Sequence, residues 1–274
     1  MRAVLSMSLM LLLACLGNTA NAEEEIRASL PGWKFEQAFT LDAVPEPSGL
    51  CYCPPRNSLF IVDDGAQDRP PALFELDLEG NVLQKLEIGG DLEGVCFCPA
   101  DGLVYVADEH EERVYAIDPD GLKLQQTSRI SRMLNAEELM QAGGNGVEGI
   151  EYIPAGNGEW SDCFILLNQD DPHGLLAVRR SDLQPESAGE SMGSAWWDIA
   201  AINAGSLHFD QASGQLWVVH SWMNVMELWD IETMQVLSWE VVPGAAQEAV
   251  AIDGEGRLWI GSDSGGLASY TAVE

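Results

Sequence analysis

Gly49-Leu50-Cys51-Tyr52-Cys53-Pro54 and Gly94-Val95-Cys96-Phe97-Cys98-Pro99 are the same phrase written twice. The two phrases also continue alike. Pro54 to Ser58 is a turn, Leu59-Phe60-Ile61-Val62 an apolar run, and Asp63-Asp64-Gly65 a polar stop. Pro99 to Gly102 is again a turn, leading to Val104-Tyr105-Val106-Ala107 and Asp108-Glu109. The pattern returns three more times. Glu148-Gly149-Ile150 leads to Phe164-Ile165-Leu166-Leu167 and then Asn168-Gln169-Asp170-Asp171. Gly205-Ser206-Leu207 leads to Leu216-Trp217-Val218-Val219 and His220-Ser221, and Glu248-Ala249-Val250 to Leu258-Trp259-Ile260-Gly261 and Ser262-Asp263. Aligned starts at Ser48, Glu93, Glu148, Gly205 and Glu248 are 45, 55, 57 and 43 residues apart. A period of roughly 40–50 residues made of short strands is the signature of propeller blades.

Each unit carries a third strand: Leu73 to Leu78, Val114 to Ile117, Leu175 to Val178, Met226 to Ile231 and Leu267 to Tyr270. Asp77-Leu78-Glu79-Gly80-Asn81 and Asp118-Pro119-Asp120-Gly121 are hairpin-turn chemistry and lead into fourth strands. Every blade is thus expected to be a four-stranded antiparallel meander. The last unit is one strand short, and Trp33 to Leu41 has strand character with no other partner. The expected fold is all-β, a five-bladed β-propeller closed by the N-terminal strand. Six blades are the alternative, with the extra one in Ser181 to Ala201. A β-sandwich also alternates strands and turns, but predicts neither five matching starts nor Asp, Asn or His at one place after each second strand. Asn135-Ala136-Glu137-Glu138, with Gly143-Gly144 as a stop, predicts one helix inserted between units two and three.

Glu46-Pro47-Ser48-Gly49-Leu50, Asp91-Leu92-Glu93-Gly94-Val95, Val147-Glu148-Gly149-Ile150 and Gln247-Glu248-Ala249-Val250-Ala251 resemble the blade starts of the SdiA-regulated family of bacterial envelope propellers. Phe74 to Leu83 resembles that family's hairpin between third and fourth strands. The resemblance runs from Trp33 to Tyr270. It implies an N-terminal signal or anchor and calcium binding, and it leaves the biochemical role open. The chain departs from the family pattern at Ala204-Gly205-Ser206-Leu207 and at the two Cys-x-Cys pairs.

Composition bounds the partners. The 274 residues carry 44 Asp and Glu against 13 Lys and Arg, a net charge of −31. Such a field repels phosphate backbones and anionic membranes and attracts cations, so nucleic acid is excluded as a partner. At the N-terminus, the apolar run Val4 to Leu16 is too short to span a bilayer, and Ala20-Asn21-Ala22 precedes Glu23-Glu24-Glu25. This predicts a signal peptide over 1–22, a lead over 23–32, one propeller domain over 33–274, and an exported, periplasmic or secreted monomer. Leu12-Leu13-Ala14-Cys15 offers the alternative of a lipoprotein anchored through Cys15. Five of the six Cys lie beyond Ala22. Cys51 with Cys53, and Cys96 with Cys98, share strand faces, so packing, disulfides and a four-thiolate soft-metal site all stay open.

In a meander the start of strand one and the end of strand two share a face of the disc. That geometry gathers Glu93, Glu148, Glu248, Asp108 and Asn168 as candidate metal ligands. It sets Asp63, Asp64, Glu109, Gln169, His220 and Asp263 around them as a ligand-binding face. Clustered carboxylates raise one another's pKa unless a cation neutralises them, and oxygen-only donors suit Ca²⁺ better than Zn²⁺. No nucleophile elbow or His-Glu-x-x-His is present, and the three Lys, at positions 34, 85 and 123, all lie off this face. The expected function is a non-catalytic calcium-binding propeller that presents one face to a small ligand or an envelope protein. A calcium-dependent hydrolase of lactones or phosphoesters is the alternative. Trp217 and Trp259 occupy equivalent places and are expected to pack between blades, whereas Trp196, Trp197 and Trp222 could edge a binding surface.

Overall fold

The computed structural model describes residues 30–65, 69–141, 146–170, 172–199, 203–242, 246–262 and 265–273. The expected signal peptide and most of the lead lie outside the described residues, as do Gly143-Gly144, Asp171 and Asp263. The chain enters on β1 (Trp33–Thr40). Blade one is β2 (Pro47–Cys53), β3 (Ser58–Asp63), β4 (Ala72–Leu76) and β5 (Val82–Glu87). Blade two is β6 (Leu92–Cys98), β7 (Leu103–Asp108), β8 (Arg113–Asp118) and β9 (Lys123–Ile130). A small hairpin comes next, β10 (Met133–Leu134) and β11 (Glu137–Glu138). Blade three is β12 (Val147–Ile153), β13 (Cys163–Asn168) and β14 (Gly174–Arg179); β15 (Glu190–Ser191) then intervenes before its outer strand β16 (Ala195–Asp198). Blade four is β17 (Ala204–Asp210), β18 (Gln215–His220), β19 (Val225–Asp230) and β20 (Gln235–Val241). Blade five is β21 (Gln247–Ile252), β22 (Leu258–Ser262) and β23 (Gly266–Ala272), with β1 as its fourth strand.

The ring therefore has five blades and is closed by the N-terminal strand. β1 runs antiparallel to β23 from Trp33 opposite Ala272 to Thr40 opposite Gly266. The stretch offered for a sixth blade is instead two 3-10 turns, the outer strand β16, and β15, which adds in parallel to the edge of blade two. The expected helix at Asn135 is replaced by the β10–β11 hairpin. Asn135 and Ala136 have φ of 52° and 67°, so the Asn that reads as an N-cap instead occupies a tight left-handed turn. Among the described residues there is no α-helix, and none long and apolar enough to cross a membrane.

Five apolar wedges hold the ring, one at each blade interface. Cys51, Phe60 and Leu73 meet Val95, Val104 and Ile117 between blades one and two. Cys96, Tyr105 and Val114 meet Ile150, Phe164 and Leu176 between blades two and three. Second strands are buried on both faces, as in the unbroken burial of β3 and β13, because each is sandwiched between two wedges. Trp217 and Trp259 sit in wedges, as expected, while Trp222 is 75% exposed. The described cysteines are free buried thiols, so no disulfide joins the Cys-x-Cys strands.

The inner strands carry the feature that decides where chemistry sits. In all five, the pairing register slips by one residue near the start. The slips fall between Pro47 and Gly49, Leu92 and Gly94, Val147 and Gly149, Ala204 and Ser206, and Gln247 and Ala249. The residue stepped over is Ser48, Glu93, Glu148, Gly205 or Glu248, the five repeat starts. A β-bulge of this kind releases one residue from the ladder and re-aims its side chain. The next residue, glycine in three of the blades, has a separate reason. A Cβ on Gly94 would lie 2.7 Å from the Ile150 nitrogen and 2.8 Å from the Gly149 Cα, and one on Gly49 would lie 2.4 Å from the Glu93 carbonyl oxygen. Neighbouring inner strands touch backbone to backbone there.

Candidate metal centre

Three layers of residues meet on the bulge face. The first is the bulge residues. The second is the residue after each second strand: Asp64, Glu109, Gln169 and Ser221 among the described residues. The third lies two residues before each bulge: Glu46, Asp91, Gly146, Asn203 and Ala246. Backbone hydrogen bonds tie the second layer to the third. The Glu109 N–H donates to the Asp91 carbonyl at 2.9 Å, Gln169 to Gly146 at 2.9 Å, and Ser221 to Asn203 at 3.1 Å.

Carboxylates converge on this scaffold. Oxygens of Asp64, Asp91 and Glu93 all lie within 4.8 Å of one another, and so do oxygens of Glu46, Asp63 and Asp64. Glu46 and Asp63 are bridged by the Arg69 guanidinium, 2.9 Å from each. For Glu93 the acting charges are negative: burial first, then Glu148, Asp64, Asp91 and Glu109, push its carboxyl well above the usual range. Glu148, 8% exposed, is raised likewise by burial and then by Glu109, Glu248 and Asp91. Burial and Asp91 push Glu109 up to about 7, although the Gly146 N–H donates to its Oε1 at 3.0 Å. These carboxylates are held near one another by the strands and penalised for it. A hard divalent cation, which takes six to eight oxygen ligands, relieves that penalty. The donor set fits Ca²⁺.

Not every residue read from the sequence joins this cluster. Asp108 ends a second strand and is held as a loop anchor, whereas Asp63 stays beside Glu46 and Asp64 and anchors its loop from there. Asp63 accepts from the Gly65 N–H at 2.9 Å as well as from Arg69, and Asp108 accepts from the Tyr115 hydroxyl at 2.8 Å and the Asp91 and Glu111 N–H groups at 3.3 Å. Asn168 donates from Nδ2 to the carbonyls of Asp170 and Pro172 at 2.8 and 2.7 Å. His220 is fully buried, stacked on Trp239, with Nε2 3.7 Å from Glu227. Gln169 is buried beside Gly146, and Asp263 lies outside the described residues. The structure gathers Glu93, Glu148, Glu248, Glu109, Asp63 and Asp64, and adds Glu46 and Asp91. The signal for the last two is present in the sequence: in blades one and two an acid stands two residues before the start.

The SdiA-regulated family model matches residues 33–264. The chain belongs to the SdiA-regulated family. For this family member the match spans all five blade starts, so the repeated blade-start phrase is carried through the whole domain. No curated protein matches by sequence. Among solved structures, the glutaminyl cyclase of Myxococcus xanthus is similar at a TM-score of 0.64 and 14% identity, over 88% of this chain and 97% of that one. A hydrazine synthase chain from Kuenenia stuttgartiensis is similar at a TM-score of 0.51 and 12% identity, over 81% of this chain and 57% of that one. At such identities the likeness is one of fold.

Proposed function

We propose that the protein is an exported, non-catalytic propeller that binds Ca²⁺ on its bulge face and uses that face to hold a small ligand or an envelope partner. The observation that carries this reading is the convergence of bulge carboxylates Glu93, Glu148 and Glu248 with Asp64, Asp91 and Glu109; burial first, and then the neighbouring negative charges, raises Glu93, Glu148 and Glu109. Ca²⁺ at a hundredfold excess over its dissociation constant stabilises the fold by about 2.7 kcal/mol. For a domain of this size that raises Tm by roughly 5–10 °C. Mg²⁺, which resists dehydration, raises it less. Glu148→Gln keeps the fold and weakens the Ca²⁺ response. Melting curves indifferent to both chelator and Ca²⁺ refute the reading, because general screening of the −31 charge acts without preference between the two ions.

One observation favours a second reading. Without a cation Glu109 is pushed up to about 7, and a bound Ca²⁺ lowers it, which leaves a carboxylate beside the proposed ion able to accept a proton near neutrality. That pairing is what a Ca²⁺-dependent hydrolase of lactones or phosphoesters uses. The similar glutaminyl cyclase is an enzyme on the same fold, which admits catalysis without assigning it. Hydrolysis that disappears with chelator and with Glu109→Gln would establish this reading over the first.

A further inference from the structure

The bulge register defines a second layer on the axis. Three residues past each bulge stand Cys51, Cys96, Glu151, His208 and Ala251. Their partners on the second strands occupy equivalent places: Phe60, Tyr105, Ile165, Trp217 and Trp259. Three strand residues put this layer about 10 Å from the carboxylates. The axis is narrow, since β17 approaches β2 and β6 across the ring to within 8 Å between Cα atoms. Glu151 and His208 already meet, Oε2 to Nδ1, at 3.6 Å, with side chains only 12% and 13% exposed. Both Glu151 oxygens are oriented by backbone, Oε1 by the Tyr152 N–H at 2.7 Å and Oε2 by the Phe209 N–H at 3.0 Å.

We propose that Cys51, Cys96, Glu151 and His208 form a second metal site on the propeller axis, which takes a zinc-class ion. Two thiolates, an imidazole and a carboxylate are a tetrahedral donor set for Zn²⁺ and a poor one for Ca²⁺. The site is independent of the calcium reading, because it shares no residue with the face. Burial in an apolar ring would be served by alanine, as at Ala251, and does not account for a carboxyl and an imidazole at the same height. Both are held away from charge: burial pushes Glu151 up to about 8 and His208 down to about 4. Burial raises both thiols, and both also lie within electrostatic reach of Glu151, whose ionised form would raise them further. The ring stands open. Among the described residues, ligating groups of three already within 4.8 Å occur only at the face. As an ion binds, the Zn–S and Zn–O bonds replace the S–H bonds of both cysteines and the O–H bond of Glu151, and these protons leave to solvent.

Cobalt tests the site in the full-length folded protein. Chelated protein held in saturating Ca²⁺ is titrated with Co²⁺. The expected result is one cobalt per chain, with a thiolate-to-cobalt band in the near ultraviolet and strong visible bands of tetrahedral geometry. Affinity falls as pH falls, because the thiols must lose protons. Cys51→Ala and Cys96→Ala, changes that Ala251 shows the ring tolerates, abolish the thiolate band. Cys163→Ala and Glu148→Gln leave it intact, and His208→Ala weakens binding by at least about 100-fold. X-ray absorption of the zinc-loaded wild type, which needs no variant, should count two sulfur and two nitrogen or oxygen neighbours. Cobalt bound without a thiolate band, a band that survives both alanine variants, or zinc surrounded by oxygen alone overturns the proposal.

Discussion

Gly94→Ala tests the geometry that brings the carboxylates together. The added Cβ would sit 2.7 Å from the Ile150 nitrogen and 2.8 Å from the Gly149 Cα, where ordinary contact begins at 3.4 Å. β6 and β12 must therefore part by about 0.7 Å. The opposing atoms are backbone on both strands, so no side chain can swing aside. Overpacking of this kind costs about 1–3 kcal/mol, and an unyielding contact belongs at the upper end. Against it stands the gain from stiffening the unfolded chain, about 0.4–1 kcal/mol. The clash wins by about 2 kcal/mol, a fall in Tm of roughly 4–8 °C. Gly89→Ala is the control, since its Cβ meets nothing within 4 Å. Thermal and denaturant unfolding of the pair, with unchanged m-values, measures the difference. Because Glu93 and Glu148 ride on the two strands that part, Ca²⁺ stabilisation should shrink in Gly94→Ala and not in Gly89→Ala. A Gly94→Ala protein as stable as Gly89→Ala refutes the claim that the inner strands touch.

Ring closure and the titrating groups give two further outcomes. Removing residues 23–42 strips β1 from β23 and takes away Phe39, stacked on Trp259 at 5.6 Å, and Phe35, edge-on to Tyr270 at 5.8 Å. With two packed aromatics lost and an edge opened, Tm should fall by at least about 10 °C, and a truncated protein melting within about 2 °C of full length refutes closure by this strand. In chelator, stability should decline as pH rises from 6.5 to about 8. Glu109 and Glu151 have folded pKa values of about 7 and 8, raised from 4.5, so the stability they add is complete below 4.5 and is lost as pH climbs through the folded values. His208, lowered from 6.5 to about 4, opposes this only below 6.5, above which its contribution is complete. A Tm that is flat or rising across this window, measured at constant ionic strength, contradicts the burial of these carboxyls.

The blade count and the ring closure are legible in the sequence because a period carries them. Five starts share one phrase, and the short fifth unit needs a strand that Trp33 to Thr40 supplies. Asn135 reads as a helix start and is not one, because Asn serves both an N-cap and a left-handed turn, and only tertiary pairing chooses between them. At the face, alignment of the repeats finds Glu93, Glu148 and Glu248 by position alone. It does not show that Asp63, which lies beside Glu46 and Asp64, is also held by Arg69, because that contact comes from a loop residue six positions on. His220 departs from the face although its height is right, because its ring turns into the blade against Trp239. The Glu151–His208 contact is hidden from the sequence because its partners are 57 residues apart and join two blades.

The bulge is the device that makes the rest compatible. An inner strand hemmed in by two neighbours has no room for a long charged side chain in regular pairing, as the glycine contacts at positions 49 and 94 show. Releasing one residue from the ladder lets a glutamate stand at the strand's end while a small next residue permits close approach. Closeness then works in both directions. It tightens the ring through five apolar wedges, and it forces like charges together at one face. A sequence under selection for stability alone would place serine or glycine at every bulge, as it does at Ser48 and Gly205. Three of five bulges hold glutamate instead, and the acids flanking them raise the repulsion further. Local cost concentrated at one face of an otherwise well-packed ring is what a binding site demands, and the sign of that charge is the ground on which we propose a cation as its ligand.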